Sequence, residues 1–172
     1  YIEFDDAGLP METEERTMSA WVKPEGAGVR AVVEWGAAVQ GQRCGILVLA
    51  AEFIKFVGNN ADVKSNSSIK LGEWSLVTET YDGTNIRIYL NGKLDKKQAM
   101  VINTQPGIGR IGTHVWPQLQ ERFVGTIDEV SIYNRELNAK EVMQNFKAGP
   151  LVLAVNASGK LALTWGGIKL LR

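Results

Sequence analysis

Residues 73–93 read EWSLVTETYDGTNIRIYLNGK. Ile86, Ile88 and Leu90 alternate with Arg87 and Tyr89, the two-residue period of a strand with one buried face. Asp82-Gly83 precedes that strand and Asn91-Gly92 follows it. Both pairs tolerate the positive φ angles of tight hairpin turns. With residues 74–81 as the preceding strand, this stretch predicts two hairpins in series, an antiparallel meander.

Working outward, residues 17–23 (TMSAWVK) read as a strand closed by Pro24 and a glycine-containing loop. Further strands are expected at 29–35, 45–50, 53–57, 110–113 and 123–133, with residues 1–4 strand-like as well. Residues 59–68, rich in Asn and Ser, read as a polar loop. One helix is expected from Asn138 to Ala148. Asn138 is a cap with Glu141 three residues on, Leu137 and Val142 are spaced as a hydrophobic staple, and Gly149-Pro150 is a stop. Beyond it, 151–155 and 161–165 are strand-like runs in a tail of residues 150–172. Many strands, frequent turns and one late helix predict an all-β, two-sheet sandwich over residues 1–149.

Bulk composition narrows the function classes. Nineteen Lys and Arg balance nineteen Asp and Glu. A neutral chain has no long-range field to gather nucleic acid or an anionic membrane. No run approaches the roughly 20 apolar residues that span a bilayer. Cys44 is the only cysteine, so no intrachain disulfide forms. The chain begins inside a strand-like run, which reads as a processed chain or an excised domain.

Four segments carry a resemblance: TMSAWVKPEG (17–26), EWSLVTETYDGTNIRIYLNG (73–92), RIG (110–112) and GTIDEVSIYNRELNAKEV (125–142). In this order they resemble the concanavalin A-like lectin/glucanase domains of the laminin-G type. The resemblance implies a jelly-roll sandwich of two antiparallel sheets. It also implies an extracellular module that binds carbohydrate or protein, often with a structural calcium ion. Asp128 matches the aspartate that often ligates that calcium. Two departures stand out. Ser75 and Leu76 replace a frequent histidine pair. A first strand and a Phe-Asp-Gly turn, usual ahead of the segment matching residues 1–4, are missing, which leaves a gap expected beside residues 123–133.

The candidate sites follow. Glucanases of this fold carry a Glu-x-Asp-x-x-Glu pattern, which is absent, and His114 is the only histidine, with no nucleophile elbow for a triad. Catalysis is therefore not expected. Calcium needs six to eight oxygen ligands, which Asp128 could supply only with carbonyls and water. Trp21 and Trp74 lie in strand motifs and are expected in the core; Trp35 is undecided. Trp116 sits in a polar loop beside Pro117. His114, Trp116, Gln118 and Gln120 are candidates to line a sugar or protein contact, the alternative being that Trp116 plugs one end of the sandwich. The charge run Glu12, Glu14, Glu15, Arg16 reads as solvated loop, and Lys93, Lys96 and Lys97 as guards of an edge strand.

The resulting expectation is a non-catalytic extracellular recognition module for carbohydrate or an extracellular protein. The alternative is a structural subunit that assembles into homo-oligomers or filaments. In that reading the tail, with Leu161, Leu163 and Trp165 on one face, completes a sheet in cis or in trans.

Overall fold

The computed structural model describes residues 1–26, 28–49, 53–58, 62–116 and 122–150. These form eleven strands and one helix: β1 (Ile2–Asp5), β2 (Arg16–Pro24), β3 (Arg30–Gly36), β4 (Arg43–Leu49), β5 (Phe53–Val57), β6 (Val63–Ser68), β7 (Ser75–Tyr81), β8 (Asn85–Leu90), β9 (Lys93–Ala99), β10 (Ile108–Ile111), β11 (Gly125–Tyr133) and α1 (Ala139–Ala148). The central meander is present as read. Asn91 and Gly92 both take positive φ, 51° and 79°, which turns β8 into β9.

Pairing is antiparallel throughout. Six strands run in the order β1-β10-β3-β4-β5-β6, and five in the order β11-β2-β7-β8-β9. The inner faces meet over one apolar core that includes Met18, Val33, Trp35, Ile46, Phe56, Val77 and Ile88. The expected two-sheet sandwich is therefore the fold. The helix lies on the outer face of the five-stranded sheet, where Val142 and Leu137 pack with Tyr89 and Tyr133 and Phe146 stacks on Trp21. Its capping box is complete: Asn138 Oδ1 accepts from the Lys140 and Glu141 amides, and the Glu141 carboxylate accepts from the Asn138 amide. The lysine-rich β9 is an edge strand, where charge discourages pairing with other molecules.

Three readings need correction, and Trp35, left undecided, is settled. Trp74 is 39% exposed. The strand begins only at Ser75, and Trp74 has the parity of Leu76, which points away from the inner face carrying Val77 and Tyr81. Trp35 is the fully buried indole instead, donating Nε1–H to the Pro10 carbonyl at 3.1 Å. Arg16 is not in a solvated loop but fully buried, because it opens β2 on the inward parity of Met18 and Ala20. The polar stretch 59–68 contains a strand, β6, whose Val63 faces the core while Ser65 Oγ accepts from the Ile54 amide.

Glu79 was not singled out in the sequence, yet it lies between Val77 and Tyr81 on the same inward parity and opposite Met18 and Ile88. It is fully buried, and neither carboxyl oxygen has a hydrogen-bond partner. Burial pushes its carboxyl well above the usual value.

Candidate functional site

Charged side chains collect on the outer face of the six-stranded sheet. One row of register partners crosses five strands: Glu3, Arg110, Glu34, Gly45, Val57. Each alternates with an inward neighbour such as Phe4, Ile111, Trp35, Ile46 or Phe56, so the row faces outward. Gly45 is required there. A β-carbon on it would stand 2.4 Å from Glu34 Cγ, so the missing side chain is the space Glu34 occupies.

Glu34 is fully buried because the loop after β10 folds over it. Its Oε2 accepts from the Val115 amide at 3.0 Å, and its Oε1 lies 3.5 Å from His114 Nε2 and 3.8 Å from Arg43 Nε. Arg110 holds the loop from the other side. It donates to the His114 and Val115 carbonyls at 2.9 and 3.3 Å, and pairs with Glu3 at 3.0 Å. His114 Nδ1 accepts from the Trp116 amide at 2.9 Å, so the neutral ring carries its proton on Nε2, toward Glu34. Burial, then the charges of Arg43, Lys55 and Arg110, lower the His114 pKa to about 4. The ring is uncharged at neutral pH.

This loop presents Trp116. The indole is half-buried, and the Arg43 guanidinium lies 4.4 Å from its ring centroid, a cation–π contact that fixes the ring. Beside it opens a groove of about 250 Å³ lined by Gln40, Arg43, Val57, Gly58, Asp62 and Trp116. Asp62 is tied to Lys55 at 2.8 Å. The groove combines one aromatic ring with an amide, a carboxylate and a guanidinium, the mixture that holds a ring of C–H groups edged by hydroxyls.

Of the candidate residues, Trp116 lines the groove. His114 is 1% exposed and stands behind the surface, holding the loop rather than meeting solvent. Gln118 and Gln120 lie outside the described residues. Gln40, Arg43, Asp62 and Glu34 were missed, because they come from three separate parts of the chain and only strand pairing gathers them.

Asp128 is half-buried at a bulge in β11, where Glu129 takes a φ of 49°. The bulge interrupts strict alternation, so Asp128 and Glu129 do not sit as an ordinary strand pair. Asp128 Oδ1 accepts from the Glu129 amide at 2.9 Å. Among the described residues no three His, Cys, Asp or Glu side chains converge to hold a metal. The calcium expected at Asp128 would draw on carbonyls and water beside that one carboxylate, and no part of the function proposed below runs through a metal.

A sandwich with a loop-built groove on one sheet face defines the class of protein. The chain belongs to the concanavalin A-like lectin/glucanases superfamily, whose family model matches residues 1–143. Among solved structures it is similar to a protein from Bacteroides ovatus described as carbohydrate-binding. The two share 16% identity with a TM-score of 0.71, over 93% of this chain and 48% of that one. The chain thus spans about half of that protein's length. It is also similar to the heptameric SAP-like pentraxin of Limulus polyphemus, at 15% identity and TM-score 0.66, over 87% of this chain and 76% of that one. Domain 4 of the extracellular arabinanase AbnA from Geobacillus stearothermophilus, solved with arabinotriose, gives 21% identity and TM-score 0.63, over 79% and 68% of the two chains. No curated protein sequence matches the chain. At these identities the likenesses establish the fold. Among the described residues no helix is long and apolar enough to cross a membrane.

Proposed function

We propose that this chain is a non-catalytic, extracellular carbohydrate-recognition module whose ligand lies against Trp116. The observation that carries the reading is the Trp116 ring, held by Arg43 at the wall of an open polar groove. Binding loops on a rigid sandwich are a common arrangement, because the scaffold fixes side chains that the loop alone would leave mobile. The neighbours described as carbohydrate-binding, or solved with an oligosaccharide, support the ligand class. Catalysis is not favoured, since Glu34 is sealed beneath Val115 and Asp62 is held by Lys55. Trp116→Ala is expected to abolish retention on a glycan array that retains the parent. Stability should stay within about 1 kcal/mol, as for other surface substitutions. A glycan profile identical in parent and variant sinks the assignment, and a large loss of stability makes Trp116 a structural plug.

A second reading, assembly through strand completion, is favoured by a different feature. Among the described residues β1 and β11 end their sheets. Between them lies an apolar groove of about 390 Å³ lined by Tyr1, Ile2, Ile111, Phe123, Gly125 and Ile127. Phe146, near the end of α1, stacks on Trp21, the register partner of Asp128 in β11. The chain therefore leaves the helix one strand away from that edge. Residues 151–172, with Leu161, Leu163 and Trp165 of the strand-completion reading, lie outside the described residues. Deleting residues 151–172 should then lower the melting temperature, or dissolve any oligomer the full chain forms. A truncated chain with unchanged melting and unchanged mass rejects this reading.

A further inference from the structure

The charged side chains that line the Trp116 groove, Arg43 and Asp62, are each matched with an opposite charge, and Arg110 farther along the same face is matched too. Lys55 Nζ lies 2.8 Å from Asp62, Arg43 Nε 3.8 Å from Glu34, and Arg110 holds Glu3 at 3.0 Å. Lys64, the register partner of Lys55, lies instead over the Phe53 ring at 3.8 Å. Among the described residues that line the groove, Arg43 is the one cation and Asp62 the one carboxylate. Among the described residues, the lining therefore carries no surplus positive charge to draw in a carboxylate or sulfate from solution.

The pairs are also unequal in how easily they open. Glu34 is fully buried and receives the Val115 amide, so it cannot swing aside to release Arg43. An anionic sugar placed against Arg43 would find that guanidinium already compensated by a fixed, buried carboxylate, whose like charge repels it. Arg43 is further committed to the Trp116 ring. The Lys55–Asp62 pair is more open, with Asp62 42% exposed at its side chain.

We infer that the groove beside Trp116 selects uncharged glycans and rejects uronic-acid, sialylated and sulfated ones. The inference rests on the carbohydrate reading proposed above and deepens it to a ligand class. Ring stacking and hydroxyl hydrogen bonds would carry the affinity, and both are little affected by ionic strength. His114 stays neutral from mildly acid to alkaline pH, so the balance of the face does not change over that range.

The test is affinity electrophoresis of the full chain in gels containing xylan, arabinan, mannan or β-glucan, against polygalacturonate, alginate and heparin. The parent should be retarded by at least one neutral polymer and by none of the acidic ones. Its affinity should change less than about twofold between low and physiological salt, where exposed charge pairs are screened. Trp116→Ala should weaken that binding by about tenfold or more, the scale of one lost aromatic contact. Asp62→Asn releases Lys55, and should gain salt-sensitive binding to polygalacturonate. Trp116-dependent binding of an acidic polymer by the parent, stronger than of any neutral one, overturns the selectivity but keeps the carbohydrate reading. Trp116-independent behaviour toward every polymer overturns the reading itself.

Discussion

Replacing Arg16 with alanine is expected to lower the unfolding free energy by about 3–5 kcal/mol, the scale of breaking a buried charged network. All five guanidinium N–H groups are used. Nε donates to the Glu14 carbonyl, Nη1 to Thr104 Oγ1 and Cys44 Sγ, and Nη2 to the Met11 and Glu12 carbonyls. The plane also packs over Trp35 and Tyr81. Truncation leaves a cavity and several buried acceptors unmet, each costing about 1–3 kcal/mol before relaxation. Glu12, held at a φ of 44° and bridged to Thr104, loses its anchor too. Arg16→Lys should rescue little, because an ammonium has three donors and no planar fork. A urea midpoint unchanged from the parent would show that the loop 11–14 stands without the guanidinium.

Glu79 should act in the opposite direction. Its uncompensated burial costs on the order of 1–3 kcal/mol even when protonated. Glu79→Leu, close in volume and apolar, should therefore stabilise the chain at every pH. The ionic contribution has its own signature. The folded carboxyl titrates well above the value of 4.5 that the unfolded chain shows. Above pH 4.5 the unfolded state ionises first, so the folded state loses about 1.4 kcal/mol per pH unit until its own pKa is reached. His114 opposes this over part of the range. Its pKa falls from 6.5 to about 4 on folding, so its contribution rises with pH across that window. Above pH 4.5 the two slopes offset for as long as the folded Glu79 carboxyl stays protonated and His114 titrates in the unfolded chain. As pH rises above 4.5 the parent should lose stability relative to Glu79→Gln, which keeps every other titrating group. A stability difference between parent and Glu79→Gln that does not change with pH would mean that Glu79 finds a partner or that water reaches it.

These two residues also show where reading by pattern stops. Alternation and turn chemistry placed β7, β8 and their turns, and the Asn138 cap placed α1, because local geometry decides such elements. The same alternation put Glu79 and Arg16 on inward parity, but a charged residue is normally scored as a solvent marker. Only the opposing sheet shows that both positions are closed to solvent. Strand β6 escaped because Asn and Ser are poor strand formers; cross-strand bonds such as Ser65 to Ile54 override that preference. Trp116 was found from its polar loop. The rest of its groove was not, since Gln40, Arg43 and Asp62 have no spacing in sequence that predicts their meeting.

The five tryptophans make the central claim directly measurable, because each indole N–H gives its own resonance. With assignments made by substitution, titration of the full chain with a retained neutral oligosaccharide should shift the Trp116 resonance to saturation. Those of Trp35, buried under Pro10, and Trp21, beneath α1, should stay in place. Saturable shifts confined to Trp74 or another indole, with Trp116 unmoved, would place the ligand elsewhere on the sandwich and contradict the assignment of this groove.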